Sequence, residues 1–280
     1  MIDIRIALVT GASSGIGSVF ARKLASQGYN LVLVARREAK LTQLAAELQT
    51  QFHVKAEVLV TDLSQPSDLE RVERRITEIT NLDLLVNDAG FGDPGMFVEN
   101  SPAHIQSIID VHVVASTRLS RAALPGMIAR NTGAIINVSS IGAFTPRPFT
   151  EIIYCASKAY LNIFSEGLQA QLALQRMNIR VQALCPGFTH TEFHDNPIYE
   201  TQQIKTRIPK WLWMSAEEVV EESLRGLKHG QVICVPGFKN RVIVALARSG
   251  LANLLFSILR NFWRPSSHGD FASKSTAPRN

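Results

Sequence analysis

Short unbroken apolar runs alternate with longer, amphipathic stretches along most of this chain. The short runs are Ile4–Val9, Leu31–Val34, Lys55–Val60, Leu84–Asn87, Ala134–Val138 and Arg180–Cys185, with a last one near Val232–Val235. Runs this short and this continuously apolar predict strands covered on both faces. Between them lie helical patterns, among them Ser18–Gln27, which ends at Gly28, and two long ones at His104–Arg130 and Glu151–Gln175. Seven strands alternating with helices predict an α/β fold, a Rossmann-like doubly wound parallel sheet with helices on both faces. No internal repeat interrupts this rhythm, and one domain is expected over residues 1–240.

The pattern changes after that. Residues 241–264 are apolar, broken by Arg248, Asn253, Arg260 and Asn261. They predict a helical extension that packs on its own domain or a second subunit, lies on a membrane surface, or spans one. Arg248, Arg260 and Arg264 beside Phe262 and Trp263 suit an interfacial helix, so peripheral membrane contact stays open. Residues 265–280 are rich in Ser, Gly, Lys and Pro and predict a disordered tail.

Composition narrows the function. A length of 280 residues suffices for one large core. A formal net charge of +5 without basic residues clustered among aromatics argues against nucleic acid; Arg71, Arg74 and Arg75 read as a solvated helix face. Three cysteines, Cys155, Cys185 and Cys234, have neither metal nor disulfide spacing and fit a cytoplasmic compartment. Cys155 reads as structural, His190 and His194 as exposed loop residues, and no metal site is expected. The opening Met-Ile-Asp-Ile runs straight into the first strand, which leaves no room for a signal peptide.

Chemistry concentrates in two motifs. T-G-A-S-S-G-I-G, Thr10–Gly17, joins a strand pattern to a helix pattern. In such a turn Gly11 allows the tight bend, Gly15 lets backbone approach a pyrophosphate, and Gly17 lets helix pack on strand. The helix start then offers N–H groups and a positive dipole end to phosphates. The second motif is Y-C-A-S-K, where Tyr154 and Lys158 fall one helical turn apart on one face. A neighbouring ammonium favours the phenolate of a tyrosine whose free pKa is about 10.

With both motifs in one chain, residues 4–237 resemble the short-chain dehydrogenase/reductase family. Further motifs carry the resemblance: Asp62 in V-T-D-L-S, N-D-A-G at Asn87–Gly90, V-S-S-I-G, and P-G-F-T-H-T at Pro186–Thr191. It implies Ser140, Tyr154 and Lys158 as catalytic residues, with Ser139 a weaker alternative to Ser140. It implies cofactor contacts from Gly11, Ser13, Ser14, Gly15, Ile16, Gly17, Asp62, Leu63, Asn87, Ala89, Gly90, Tyr154, Lys158, Pro186, Gly187, Thr189 and Thr191. The chain departs from the family pattern in three places. Asp88 stands where the second Asn of N-N-A-G is usual. His112 stands where the family carries a catalytic Asn that helps hold a relay water; His112 is kept in the catalytic set, since imidazole can donate and accept hydrogen bonds. Ser140 also precedes Tyr154 by one residue more than usual.

The second strand ends V-L-V-A-R-R. Ala35 occupies the place of an NAD-type acid, and Arg36, followed by Arg37, offers guanidinium to a 2′-phosphate. NADP(H) is therefore the expected cofactor, with Arg36 its main discriminating contact. The residues framing the expected pocket, Phe91, Met96, Phe144, Phe149, Phe188, Phe193, Trp211, Trp213 and Met214, favour an apolar substrate. The expected function is reduction of an apolar or lipid-like carbonyl. The alternatives are a broad alcohol dehydrogenase and a silent NADP-binding regulatory protein. By resemblance, the two long helices predict a homodimer or homotetramer.

Overall fold

The computed structural model describes residues 5–93, 95–145, 151–195 and 208–249. Phe149 and residues 250–280, which hold most of the expected extension and tail, lie outside them.

All seven expected strands form. They are β1 (Ile6–Thr10), β2 (Asn30–Ala35), β3 (Ala56–Val60), β4 (Leu82–Asn87), β5 (Gly133–Val138), β6 (Ile179–Leu184) and, after a two-stranded outlier of β7 (Thr189–His190) with β8 (Met214–Ser215), β9 (Ile233–Cys234). The main sheet runs β3-β2-β1-β4-β5-β6-β9 with every pairing parallel. The order reverses between β1 and β4, which opens a crevice at the carboxyl ends of the strands.

Neighbouring residues of a strand serve different cores. Ala7, Val9, Leu31, Leu33, Leu84 and Val86 face α1 (Gly15–Ser26), α2 (Glu38–Phe52) and α7 (Ala216–Lys228), where Phe20, Leu24, Leu41, Leu48, Val219 and Val220 are buried. Leu8, Val32, Val34 and Leu85 face α3 (Pro66–Glu78), α5 (Ser116–Arg130) and α6 (Ile152–Leu174), against Leu69, Val72, Ile76, Leu119, Met127 and Leu172. A strand buried on both faces has no polar side to alternate with, which is why the runs are continuous. A buried leucine cut to alanine here costs about 2–5 kcal/mol.

Two helices differ from expectation. α1 begins at Gly15, inside the glycine turn, three residues before the expected Ser18, because Gly15 and Gly17 carry little helical signal in the sequence. The pattern at His104–Arg130 is two helices, α4 (Pro102–Ile109) and α5, joined by a wider π-helical segment at Asp110–Ala115. α4 starts earlier than expected because Pro102 suits a first turn and the Ser101 hydroxyl accepts the His104 N–H at 3.2 Å. The last described helix is α8 (Phe238–Arg248), the start of the apolar extension. Asn240 and Val244 are buried, whereas Phe238, Val242, Ile243 and Leu246 are exposed. Among the described residues, no helix is long and apolar enough to cross a membrane.

Candidate active site

The glycine turn leaves β1 with Gly11 at φ +70° and Gly15 at φ +56°, a backbone region that L side chains rarely adopt. Thr10 ties the turn to the next strand. Its hydroxyl donates to the Val86 carbonyl and accepts the N–H groups of Asp88 and Ala89 at 3.0 and 3.1 Å. Asp88 lies against the turn, its carboxyl close to Gly17, whose N–H favours the charged form. A Cβ on Gly17 would stand 2.7 Å from both Asp88 Oδ2 and the Gly11 carbonyl oxygen, so no side chain fits there. Thr191 packs on Gly15, with its Cβ 3.3 Å from where a Cβ on Gly15 would be.

The two arginines after β2 have different surroundings. Arg37 is engaged, donating to Ser13 Oγ at 2.9 Å and Ser14 Oγ at 2.5 Å and to Glu192 Oε2 at 2.7 Å. Lys40 also pairs with Glu192, and the two cations hold that carboxyl down at about 2. Arg36 is two-thirds exposed, 3.9 Å from Asp62 Oδ2 and 6.0 Å from the centre of the Phe91 ring. Asp62 shapes its own loop by accepting the Ser64 N–H and hydroxyl. Leu63 is buried.

Tyr154 and Lys158 rise one turn apart from the start of α6. Glu151 enters the helix in a left-handed conformation, φ 54°, and its side chain caps nothing. The buried carboxylate of Asp93 does so instead, accepting the N–H groups of Ile153 and Tyr154 at 2.9 Å each. The Ser140 hydroxyl accepts the Gly142 N–H at 3.0 Å and faces the Tyr154 ring across Gly142, where an added Cβ would stand 3.3 Å from Ser140 Oγ and 3.7 Å from Tyr154 Cε1. Ser139 is buried and donates to the Lys158 carbonyl at 2.8 Å, so Ser140 is the serine that meets the phenol. Lys158 Nζ donates to the Val138 carbonyl at 2.7 Å and lies 5.5 Å from the centre of the Tyr154 ring.

The electrostatics differ from the sequence argument. Burial pushes the Tyr154 phenol well above its ordinary value, with Glu151 adding to the rise and the Ser140 hydrogen bond opposing it. Lys158 is not among the groups that move the phenol, and burial brings it down to about 8 against the attraction of Asp88. Burial lifts Asp88 to about 8 against Lys158 and the Gly17 N–H. The phenol is thus held protonated, in the form that can give a proton. Burial also pushes the Cys155 thiol up to about 12, which suits its structural reading.

His112 sits in the π-helical segment, 1% exposed, with its ring edge-on to Tyr154 at 5.7 Å. Both ring nitrogens are engaged, Nε2 accepting the Phe91 N–H at 3.1 Å and Nδ1 lying 2.8 Å from Ser157 Oγ. Asn87 is interior, its amide donating to Ser120, Asn137 and the Ser116 carbonyl. Gly90 is where His112 and Lys158 converge; a Cβ there would stand 2.7 Å from His112 Nε2. Pro186 accepts the Ile141 N–H, Gly187 abuts Asn240, and Thr189 Oγ1 donates to the Gly187 carbonyl. Phe193 packs on Tyr154 at 5.7 Å, and Phe188 and His190 on Trp213 at 5.6 and 4.9 Å. Sequence reasoning missed Asp93, Ser157 and Glu192. Ser157 stands inside the Tyr–Lys motif, where its presence was a signal; Asp93 and Glu192 had none, since their partners are distant in the chain.

The glycine turn, the exposed Arg36 and the Ser140–Tyr154–Lys158 cluster all lie along the carboxyl ends of the strands. The chain belongs to the short-chain dehydrogenase family, whose model matches residues 5–201. It is 33% identical over 190 residues to a very-long-chain 3-oxoacyl-CoA reductase of Anas platyrhynchos, covering 66% of this chain and 60% of that protein. It is 34% identical over 189 residues to the inactive hydroxysteroid dehydrogenase-like protein 1 of Homo sapiens, covering 67% and 56%. The chain thus spans less than two thirds of the length of these relatives. A short-chain dehydrogenase from Sphingobium yanoikuyae, solved in complex with NADPH, superposes with a TM-score of 0.78 at 33% identity, covering 95% of this chain and 99% of that one.

Proposed function

We propose that this protein is an NADP(H)-dependent oxidoreductase that reduces a carbonyl group on an apolar or lipid-like substrate. The observation that carries the reading is the convergence of Ser140 and Tyr154 at Gly142, where an added Cβ would stand 3.3 Å from Ser140 Oγ and 3.7 Å from the Tyr154 ring, with the buried phenol one helical turn from Lys158. Gly11, Gly15 and the start of α1 would hold the pyrophosphate, a fit supported by the positive φ of both glycines. Arg36 would take the 2′-phosphate, with Ser13 and Ser14 beside Arg37 at the same rim. Lys158 would hold the ribose, and Thr191 would cover the nicotinamide end. NADPH supplies the hydride when bound.

The chain's own residues do the rest. Ser140 and Tyr154 hydrogen-bond the carbonyl oxygen, and Tyr154 gives its proton to the oxygen as negative charge develops there. Such positioned acid catalysis contributes about 10²–10⁴-fold. Phe193 on the Tyr154 ring and the Phe188–Trp213 pair make an apolar approach. The reading takes residues 1–240 as one catalytic domain, acting as a cytoplasmic homodimer.

A second reading, an NADP-binding protein without turnover, is favoured by the inactive human relative and by His112 in place of the usual Asn. Both are tested by NADPH consumption against aldehydes, 3-oxoacyl thioesters and steroid ketones, with NADH and Tyr154→Phe as controls. Turnover that disappears in Tyr154→Phe supports the reductase. Tight NADPH binding with no turnover across the panel would replace it with the silent reading.

A further inference from the structure

His112 is the one residue of the expected catalytic set whose polar atoms are all committed to the protein. The Phe91 N–H points at Nε2 from 3.1 Å, so Nε2 carries no proton. Ser157 Oγ donates its own proton to the Tyr154 carbonyl at 2.8 Å, so toward Nδ1 at 2.8 Å it accepts. These bonds admit one form of the ring, the neutral imidazole with its proton on Nδ1.

We propose that His112 is a positioning residue which, as the Nδ1–H tautomer, braces the first turn of α6 against the loop that follows β4 and so sets where the Tyr154 hydroxyl stands. A chain of hydrogen bonds runs from the Phe91 N–H through the ring and Ser157 Oγ to the carbonyl of Tyr154. The ring also packs edge-on against Phe91 at 5.9 Å and Tyr154 at 5.7 Å. The π-helical segment supplies the reach, because its extra residue per turn displaces a side chain from the ordinary helical face. Phe91 belongs to the same short loop as Asp93, which caps the same turn of α6, so the loop grips the helix at two points.

A proton relay needs an onward acceptor, and here Nε2 meets a backbone N–H while the Ser157 hydroxyl beyond Nδ1 leads only to the Tyr154 carbonyl. Protonation would set Nε2–H against the Phe91 N–H. The surroundings oppose it too. Lys158 faces the ring from α6 and converges with it at Gly90, and burial together with that charge holds His112 well below its ordinary value. Other ionisable groups on these elements include Tyr154 and Cys155 on α6, Asp88 and Asp93 on the loop after β4, His104 on α4, and Asp110 on the segment itself. Asp93 caps α6, Asp88 lies against Gly17, Asp110 accepts from Gln106, and a His104 ring nitrogen is 3.1 Å from the Gly92 carbonyl.

The kinetic part of the test rests on the reductase reading, and the spectroscopic part does not. Nitrogen-15 NMR of the ring, assigned by loss of its signals in His112→Asn, should show a protonated Nδ1 and a bare Nε2, unchanged from pH 6 to 9. A ring that titrates within that range, or that carries its proton on Nε2, overturns the proposal whether or not the protein turns over a carbonyl. With the best carbonyl of the panel and NADPH, His112→Phe and Ser157→Ala should each lower kcat by about 10- to 100-fold. KM for NADPH should stay within about twofold, and the double variant should be no worse than the poorer single one. Additive losses in the cycle, or a fall in kcat matched by a rise in KM, would reduce His112 to packing. Ser157→Ala keeps the aromatic packing, which guards against a His112→Phe variant that fails to fold.

Discussion

Asp93 holds the backbone N–H of Tyr154 at 2.9 Å, across 61 positions of sequence. The first turn of α6 would otherwise leave these N–H groups without a partner. Asp93→Ala should destabilise the protein by about 1–2 kcal/mol, the usual cost of losing a cap, and lower Tm by about 2–4 °C for each of those. It should also depress kcat more than KM, because the uncapped turn is the one that carries the phenol. Thermal melts and steady-state kinetics check both; an unchanged kcat would mean the cap serves stability alone.

Arg36 and Arg37 should part company on mutation. Arg36→Ala removes a guanidinium that is two-thirds exposed and weakly paired. A hydrogen-bonded charge contact of about 1.5–3 kcal/mol predicts KM for NADPH raised by about 10- to 100-fold, with NADH turnover little changed. Arg37→Ala should weaken both cofactors alike, since it frees Ser13 and Ser14 and leaves Glu192 held by Lys40. Equal losses for NADPH and NADH in Arg36→Ala would count against the 2′-phosphate contact.

Asp88 gives stability a pH dependence of definite sign. Its carboxyl is held up at about 8 in the folded protein against 3.8 ordinarily. The folded state therefore binds the extra proton, and this contribution is full below about pH 4 and lost as pH rises to 8. Lys158, lowered to about 8, works in the opposite direction but only above that pH. A neutral histidine such as His112 acts below about 6.5, where its unfolded form would charge. Between pH 6.5 and 8, Tm should fall through Asp88 alone among these three, and Asp88→Asn should flatten that slope. A slope of equal steepness in the variant would locate its source elsewhere.

Gly17→Ala should fail to bind NADPH. The added methyl would meet Asp88 Oδ2 and the Gly11 carbonyl at 2.7 Å, and backbone cannot yield cheaply. Fluorescence titration with NADPH reads this directly; wild-type affinity would mean the turn has slack.

Strands and turn chemistry were legible because each depends on local sequence. The runs around Leu8, Leu33 and Leu85 declare burial on both faces, and Gly11 and Gly15 declare left-handed backbone. Tyr154 and Lys158 were legible as a spacing. What stayed hidden depends on distant partners or on desolvation. The break at Asp110–Ala115 leaves the apolar pattern intact. Asp93 and Glu192 look like any loop acid until the fold brings Tyr154 or Arg37 to them. The four-residue spacing shows the Lys158 charge beside the phenol but not the burial that raises the phenol instead.

The exposed pairs of Glu192 with Arg37 and Lys40 fasten the segment after β7 beside the glycine turn, where Thr191 already rests on Gly15. Ion pairs at a rim are screened by salt within about 8–10 Å at ordinary ionic strength. They form a latch whose tightness the medium sets. If the cofactor sits as proposed, nucleotide release should quicken as ionic strength rises, with the hydride step itself unaltered.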